Sequence, residues 1–210
     1  MRILLFTAAA IGLAAIAAQP AAAQDAQPAA AQDNSTSFRG IRIEGNVGGD
    51  RFQSQGVHND KFGYGATIGF DGVIGGKIVV GPEGSYWRAN DWTENCTPAG
   101  PGGDVCHKSF EEWGAAVRVG YLVTPNVLVY GKGGYVNNEQ RKRFDAPAGQ
   151  TGYYDHFRSD GYQLGGGLEY TLTSADAKLP VYVGAQYVYS QYSDHTSRQR
   201  VMGSIGFRFK

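Results

Sequence analysis

VMGSIGFRFK, residues 201–210, closes the chain on a glycine-studded stretch with Phe207 and Phe209 two apart. The last residues of a water-soluble domain are usually frayed and polar, and these are not. Side chains of a β-strand alternate sides. Val201, Gly203, Ile205, Phe207 and Phe209 therefore share one face, and Arg200, Met202, Ser204, Gly206 and Arg208 the other. A half-buried strand of a soluble sandwich alternates in the same way, so the meaning of this stretch depends on the other strands and on where the chain is delivered.

The same alternation recurs from Phe38 onward. Ile41, Ile43 and Val47 oppose Arg42, Glu44 and Asn46, and Phe62, Tyr64, Ala66, Ile68 and Phe70 oppose Gly63, Gly65, Thr67, Gly69 and Asp71. Ile78, Val80 and Tyr86 oppose Val79, Gly81, Glu83 and Ser85, and Val117, Val119, Tyr121 and Val123 oppose Ala116, Arg118 and Gly120. In NVLVYGKGGYV (126–136) either apolar pair could face outward, and Lys132 decides between them: a lysine at the lipid midplane costs ~2 to 4 kcal/mol, so it is placed inside. Tyr162, Leu164, Leu168, Tyr170 and Leu172 oppose Gln163, Gly165, Gly167 and Glu169, and Val181, Val183, Ala185, Tyr187 and Tyr189 oppose Tyr182, Gly184 and Gln186.

Residues 1–23 have Arg2, an apolar run from Ile3 to Ala18 and the A-x-A site Ala21–Ala23, the pattern of a secretory signal peptide. A second A-x-A at Ala29–Ala31 leaves the cleavage point open, and residues 24–37, rich in Ala and Gln, read as a disordered linker. Residues 38–210 then form one domain of ordinary size. Without Arg2 there are 18 basic against 19 acidic residues, a balance with no nucleic-acid footprint. No apolar stretch beyond the leader reaches the ~20 residues of a membrane-spanning helix. Cys96 and Cys106 stand in an exported chain, separated by a segment rich in Pro and Gly that lets its ends meet, and they are expected to form a disulfide.

Outward faces are apolar and aromatic while inward faces carry Arg42, Glu44, Glu83, Arg118, Glu169 and Arg208, the inverse of a soluble domain. Lipid is then the apolar solvent, and the sheet must close, because an open edge in hydrocarbon would strand N–H and C=O groups. Long and short connections alternate: Gly49–Asp60, Arg88–Glu112, Asn137–Asp160 and Ser190–Ser197 lie on one side, while the turns near Gly72–Gly76, Thr124–Asn126 and Thr173–Leu179 share the other side with both termini. The expectation is an all-β, eight-stranded antiparallel transmembrane up-and-down β-barrel with four outer loops. A soluble lipocalin-like carrier also has eight strands, but it needs an apolar interior.

The leader, the eight alternating strands, the E-G-x-Y-W stretch (Glu83–Trp87), V-R-V-G-Y with its T-P-N turn (Val117–Asn126) and the terminal GFRF resemble the small outer-membrane β-barrel family of Gram-negative bacteria, the opacity-type and porin-like surface proteins. That resemblance implies residence in the cell outer membrane, contact with its lipids and lipopolysaccharide, and Phe207 and Phe209 as the signal read by the outer-membrane assembly machinery. It depicts a non-enzymatic protein with a structural and surface-contact role, and it names no host or surface ligand. Two features depart from the pattern: Lys210 follows the final aromatic, and Pro82, which cannot donate to a ladder, predicts a bulge in its strand.

The candidate sites follow from these faces. Arg42, Glu44, Glu83, Arg118, Lys132, Glu169, Arg200 and Arg208 converge on a lumen sized for side chains alone, and they must pair. A filled plug and a narrow solute or ion channel both remain open at this point, the inward glycines favouring the channel. Arg141, Lys142 and Arg143 mark a contact for lipopolysaccharide phosphates or a solvated charge run. Tyr153, Tyr154 and Phe157 read as a loop aromatic cluster. His58, His107, His156 and His195 fall in separate outer connections without a ligand spacing, so no metal and no cofactor are expected. His195 and Ser197 have the spacing seen in lipid A deacylases but no orienting acid, so no catalytic residue is assigned.

Overall fold

The computed structural model describes residues 37–209 apart from 101, 175 and 176. The expected leader, all of the linker except Ser37, and Lys210 lie outside the described residues. Eight strands follow one another: β1 (Gly40–Ser54), β2 (Val57–Ile74), β3 (Ile78–Pro98), β4 (Asp104–Thr124), β5 (Val127–Asp145), β6 (Tyr153–Thr171), β7 (Val181–Tyr192) and β8 (Ser197–Phe209). Each pairs antiparallel with its neighbours, and β1 pairs with β8 from Ile41–Phe209 to Gln53–Ser197, which closes the barrel.

Burial alternates along the walls as the period-2 reading requires. In β1, Arg42, Glu44 and Asn46 are buried while Ile41, Ile43 and Val47 are exposed. Exposed aromatics form two belts. Phe62, Tyr64, Trp113, Tyr135, Tyr162 and Tyr187 mark the outer boundary, and Phe70, Tyr121, Tyr170, Phe207 and Phe209 mark the boundary near the termini. On β4 the outward band from Trp113 to Val123 spans ~33 Å of strand, or ~25 Å of height at a tilt of ~40°, the thickness of the apolar zone of such barrels.

The connections are shorter than the sequence implies. The outer links are residues 55–56, 99–103, 146–152 and 193–196, because strands continue where long loops are expected. β3 and β4 hold 21 residues each. That gives ~50 Å of height at the same tilt, about twice the apolar zone, so the wall stands well clear of the membrane. Gln55 and Gly56 link β1 to β2 with φ of 53° and 78°, as a two-residue hairpin of the twist-matching kind demands.

Pro82 brings no bulge. It pairs with Val117, its side chain is exposed, and the β2–β3 register is the same on either side of it, from Gly69–Glu83 to Gly72–Val80. Facing outward at a gap in the β2–β3 ladder, it interrupts pairing without adding a residue. The large irregularity lies higher: between the pairs Arg88–Glu111 and Thr93–Ser109, β3 supplies four residues and β4 one.

Candidate functional site

The lumen brings all eight sequence-assigned charges together, each of them buried. Near the termini, Arg118 reaches across to Asp71 through Nε (2.9 Å) and Nη2 (2.7 Å) and to Glu169 through Nη1 (2.5 Å). Arg208 shares both acids, donating to Glu169 and lying 3.2 Å from Asp71. Arg42 donates to Glu44 (3.1 Å) and Glu83 (2.6 Å) and sits 3.4 Å from Asp71. Lys132 donates to the other oxygen of Glu83 at 2.7 Å. Tyr182 and Gln186 then donate to Glu44, at 2.9 and 3.0 Å.

A second layer lies toward the outer end. Arg200 meets Glu112 at 2.7 Å, and Tyr192 donates to the same carboxylate. Arg198 meets Asp50 at 3.1 Å, and Trp87 donates to Asp50 through Nε1 at 3.0 Å. Trp87, Val188 and Met202 form an apolar cluster of their own. Asp50, Asp71, Glu112 and Arg198 complete the network that the assigned set of eight left unbalanced, so the buried charges number six basic and six acidic among the described residues. In a low-dielectric interior such a balance is required, because an unmatched ion is not tolerated there.

The inward glycines do not open the lumen. Any Cβ on Gly63 would stand 2.4 Å from the Trp87 ring, and one on Gly206 would stand 2.3 Å from the Tyr182 hydroxyl. An aromatic side chain from the neighbouring strand occupies the space each glycine leaves. At mid-lumen, among Asn46, Thr67, Lys132, Gln163 and Gln186, the residual void is about 10 Å³, room for a single water. Phe38 packs with Val79, Leu122, Leu128 and Tyr130 at the terminal end, under the guanidinium of Arg208 at 4.9 Å, and Phe52, Val136 and Tyr192 pack at the other.

The remaining candidates separate. Arg141 is held by Glu94 at 2.6 Å and Arg143 by Asp145 at 2.9 Å, so two of the three cations assigned to lipopolysaccharide already have internal partners. The three loop aromatics do not cluster: Tyr153 stacks on Phe144, Tyr154 lies under Arg141 and Phe157 faces His107. His107 is not a loop residue. It is buried in β4 between Phe52 and Phe157, 3.5 Å from Asp194 in the β7–β8 turn, and burial pushes its imidazole below the ordinary range. Asp194 also accepts from Ser159 (3.0 Å) and Thr196 (2.8 Å), so the turn is tied down over the outer mouth. His195 is exposed on that turn at φ 64° while Ser197 is buried, and no hydrogen bond joins them among the described residues. Cys96 and Cys106, directly opposed on β3 and β4, form the expected disulfide. Together with Glu94 they are the one candidate metal group among the described residues, and bonded sulfurs are no longer thiolate ligands.

Residues 6–209 match the model of the outer membrane protein beta-barrel domain family. The chain belongs to that family. Its site of residence is therefore the cell outer membrane. In structure it is similar to Ail, the attachment invasion locus protein of Yersinia pestis, at 17% identity over 81% of this chain and 99% of Ail, with a TM-score of 0.53. A second structure of Ail, in complex with the heparin analogue sucrose octasulfate, gives 18% identity, the same coverage of both chains and a TM-score of 0.51. Neisserial surface protein A aligns over 80% of this chain and 97% of its own, at 12% identity and a TM-score of 0.49. No curated protein matches the sequence.

Proposed function

We propose that this barrel is a structural and surface-contact protein of the outer membrane whose lumen is closed to ions and solutes. The observation that carries the reading is the balanced, mutually paired set of twelve buried charges around a void of about 10 Å³. Apolar side chains cap the network at both ends. A conducting path would need continuous water, and the paired guanidinium and carboxylate groups stand where that water would run. The part of the protein available to the outside is the wall of β3 to β6 that rises beyond the outer aromatic belt. That Ail, similar in fold, is found in complex with a heparin analogue supports a contact role, with a host or surface ligand as the partner. Phe207 and Phe209, outward on the closing strand, serve as the signal for the assembly machinery.

Planar-bilayer recording of the purified protein tests the closed lumen. The expected trace shows no sustained conductance. Stable channels whose current scales with salt would overturn the reading in favour of a narrow channel lined by Arg42, Glu44, Glu83 and Arg118.

A further inference from the structure

The outer wall carries a cluster that the closed lumen does not use. At the bulge of β3, residues 89–92 oppose Phe110 alone, and Asp91 and Trp92 adopt left-handed backbone at φ 56° and 47°. Residues with a Cβ rarely take that conformation, and where they do the strain tends to sit at functional sites. Here the bulge sets the Trp92 ring between two cations, with the Arg88 guanidinium at 5.4 Å and the Lys108 ammonium at 5.3 Å. Phe110 meets the indole edge at 4.8 Å, and Arg88 also lies over Tyr64 at 5.9 Å.

Two donors in this cluster have no acceptor: Arg88 Nε and Trp92 Nε1 are both buried without a hydrogen-bond partner. Unmatched buried donors recur among the described residues, and here two of them stand together beside an indole and an ammonium, where an incoming acceptor would satisfy both. The nearby acids do not supply it. Glu94 is held by Arg141 at 2.6 Å and approached by Lys108 at 3.9 Å, Asp91 is exposed, and Glu111, opposite Arg88 on β4, forms no ion pair with it.

Height and direction identify the occupant. Arg88 follows Tyr86 by two residues on the same face, and Tyr86 packs on Trp113 of the outer aromatic belt at 4.8 Å. Arg88 is also directly opposite Tyr64 of that belt, so it stands at the membrane boundary where headgroups begin, and the cluster looks sideways into the leaflet. A soluble polyanion would have to enter the leaflet to reach it. We propose that Arg88, Trp92 and Lys108 form a seat for the phosphate of an outer-leaflet phosphoglycolipid. Guanidinium and N–H donors suit phosphate oxygens, and the indole holds both cations in place. The inference rests on residence in the outer membrane and is independent of whether the lumen conducts.

The test uses full-length protein in nanodiscs of zwitterionic lipid, titrated with bisphosphorylated lipid A and with its dephosphorylated form. Wild type should prefer the phosphorylated form by about tenfold or more, the worth of one or two charge-assisted hydrogen bonds. R88Q combined with K108Q should abolish that preference. W92F, which keeps a ring and removes the donor, and R88K, which keeps the charge and removes Nε, should each weaken it by about threefold to tenfold. R51Q, on the β1–β2 side of the barrel, should leave it unchanged. Heat-dependent gel mobility reports folding, and if the double variant fails it, W92F and R88K decide. Equal binding of the two lipid A forms, wild-type preference in the variants, or an equal loss in R51Q would overturn the seat. Displacement of lipid A by inorganic phosphate at matched concentration would instead make it a free-anion site and overturn the lipid assignment.

Discussion

Replacing Arg118 with alanine tests whether the lumen is a dry ionic network. Arg118 makes three hydrogen bonds to two buried acids, at 2.9, 2.7 and 2.5 Å, and lies 4.9 Å from the centre of the Tyr130 ring. Removing one partner of a buried pair costs about 3 to 5 kcal/mol. Asp71 would keep Arg208 at 3.2 Å and Arg42 at 3.4 Å, and Glu169 would keep Arg208, so the lower end of that range, ~3 kcal/mol, applies. In urea, with a slope of ~2 kcal/mol per molar, the unfolding midpoint of vesicle-inserted protein followed by tryptophan emission should fall by about 1.5 M. The double change R118M with E169Q removes one charge of each sign. Most of the loss should return, because the network is again balanced. In planar bilayers R118A should give at most brief, small openings. A midpoint shift below ~0.3 M, or a double variant weaker than the single one, would mean that water screens the lumen charges and that pairing does not hold it shut.

Other outcomes follow from the same geometry. Reducing Cys96–Cys106 should release about 2 to 3 kcal/mol of constraint on the unfolded state, lower the urea midpoint by about 1 to 1.5 M and speed proteolysis within residues 99–103; an unchanged midpoint and unchanged cleavage would deny the bridge a role at the hairpin tip. Phe209→Ala should lower the yield of membrane-inserted protein more than the stability of the fraction that inserts, and normal yield would show that another residue carries the assembly signal. Burial keeps His107 neutral in the fold more strongly than in the unfolded chain, against the opposing pull of Asp194 and Gln140 and with the help of Lys142. The sign follows from linkage: stability is complete above the unfolded value of 6.5 and declines as pH falls below it. The exchange protection factor of the Tyr192 amide, which donates to the Thr196 carbonyl at 3.0 Å, should therefore fall between pH 7.5 and 5 and become flat in H107Q; a slope that survives in H107Q would place the proton elsewhere.

Much of this barrel is legible in its alternation. Lys132 settles the inward face of β5 on energetic grounds alone, and the same rule puts Asp71 inside before any partner is known. What alternation does not reveal is where a strand stops. Gly49, His58 and Asn137 look like loop residues because Gly and Asn favour turns, yet each lies within a ladder of paired backbone groups. Cutting β1 short at Gly49 hides Asp50, and ending β4 at Glu112 hides its pairing with Arg200. Carrying the inward series Asn46, Gly48, Asp50, Phe52 and Ser54 onward would have recovered the first. The bulge at Asp91 and Trp92 was not legible, since neither residue is a usual left-handed former and the shift of register depends on both strands at once.

Closure gives Arg208 a role in time as well as in energy. It belongs to the last strand, its partners Asp71 and Glu169 belong to β2 and β6, and it covers Phe38 at the start of the fold. The contacts with Asp71 and Phe38 cannot exist until the two ends of the chain meet along β1 and β8, whereas Glu169 lies only two strands away through β7. Contacts between residues so distant in sequence form late and slowly. While the seam is open Asp71 is short of one cation, so bringing Arg208 onto it couples zipping of the seam to neutralisation of the interior. The seam resists reopening for the same reason, because separating β1 from β8 takes the Arg208 guanidinium away from Asp71.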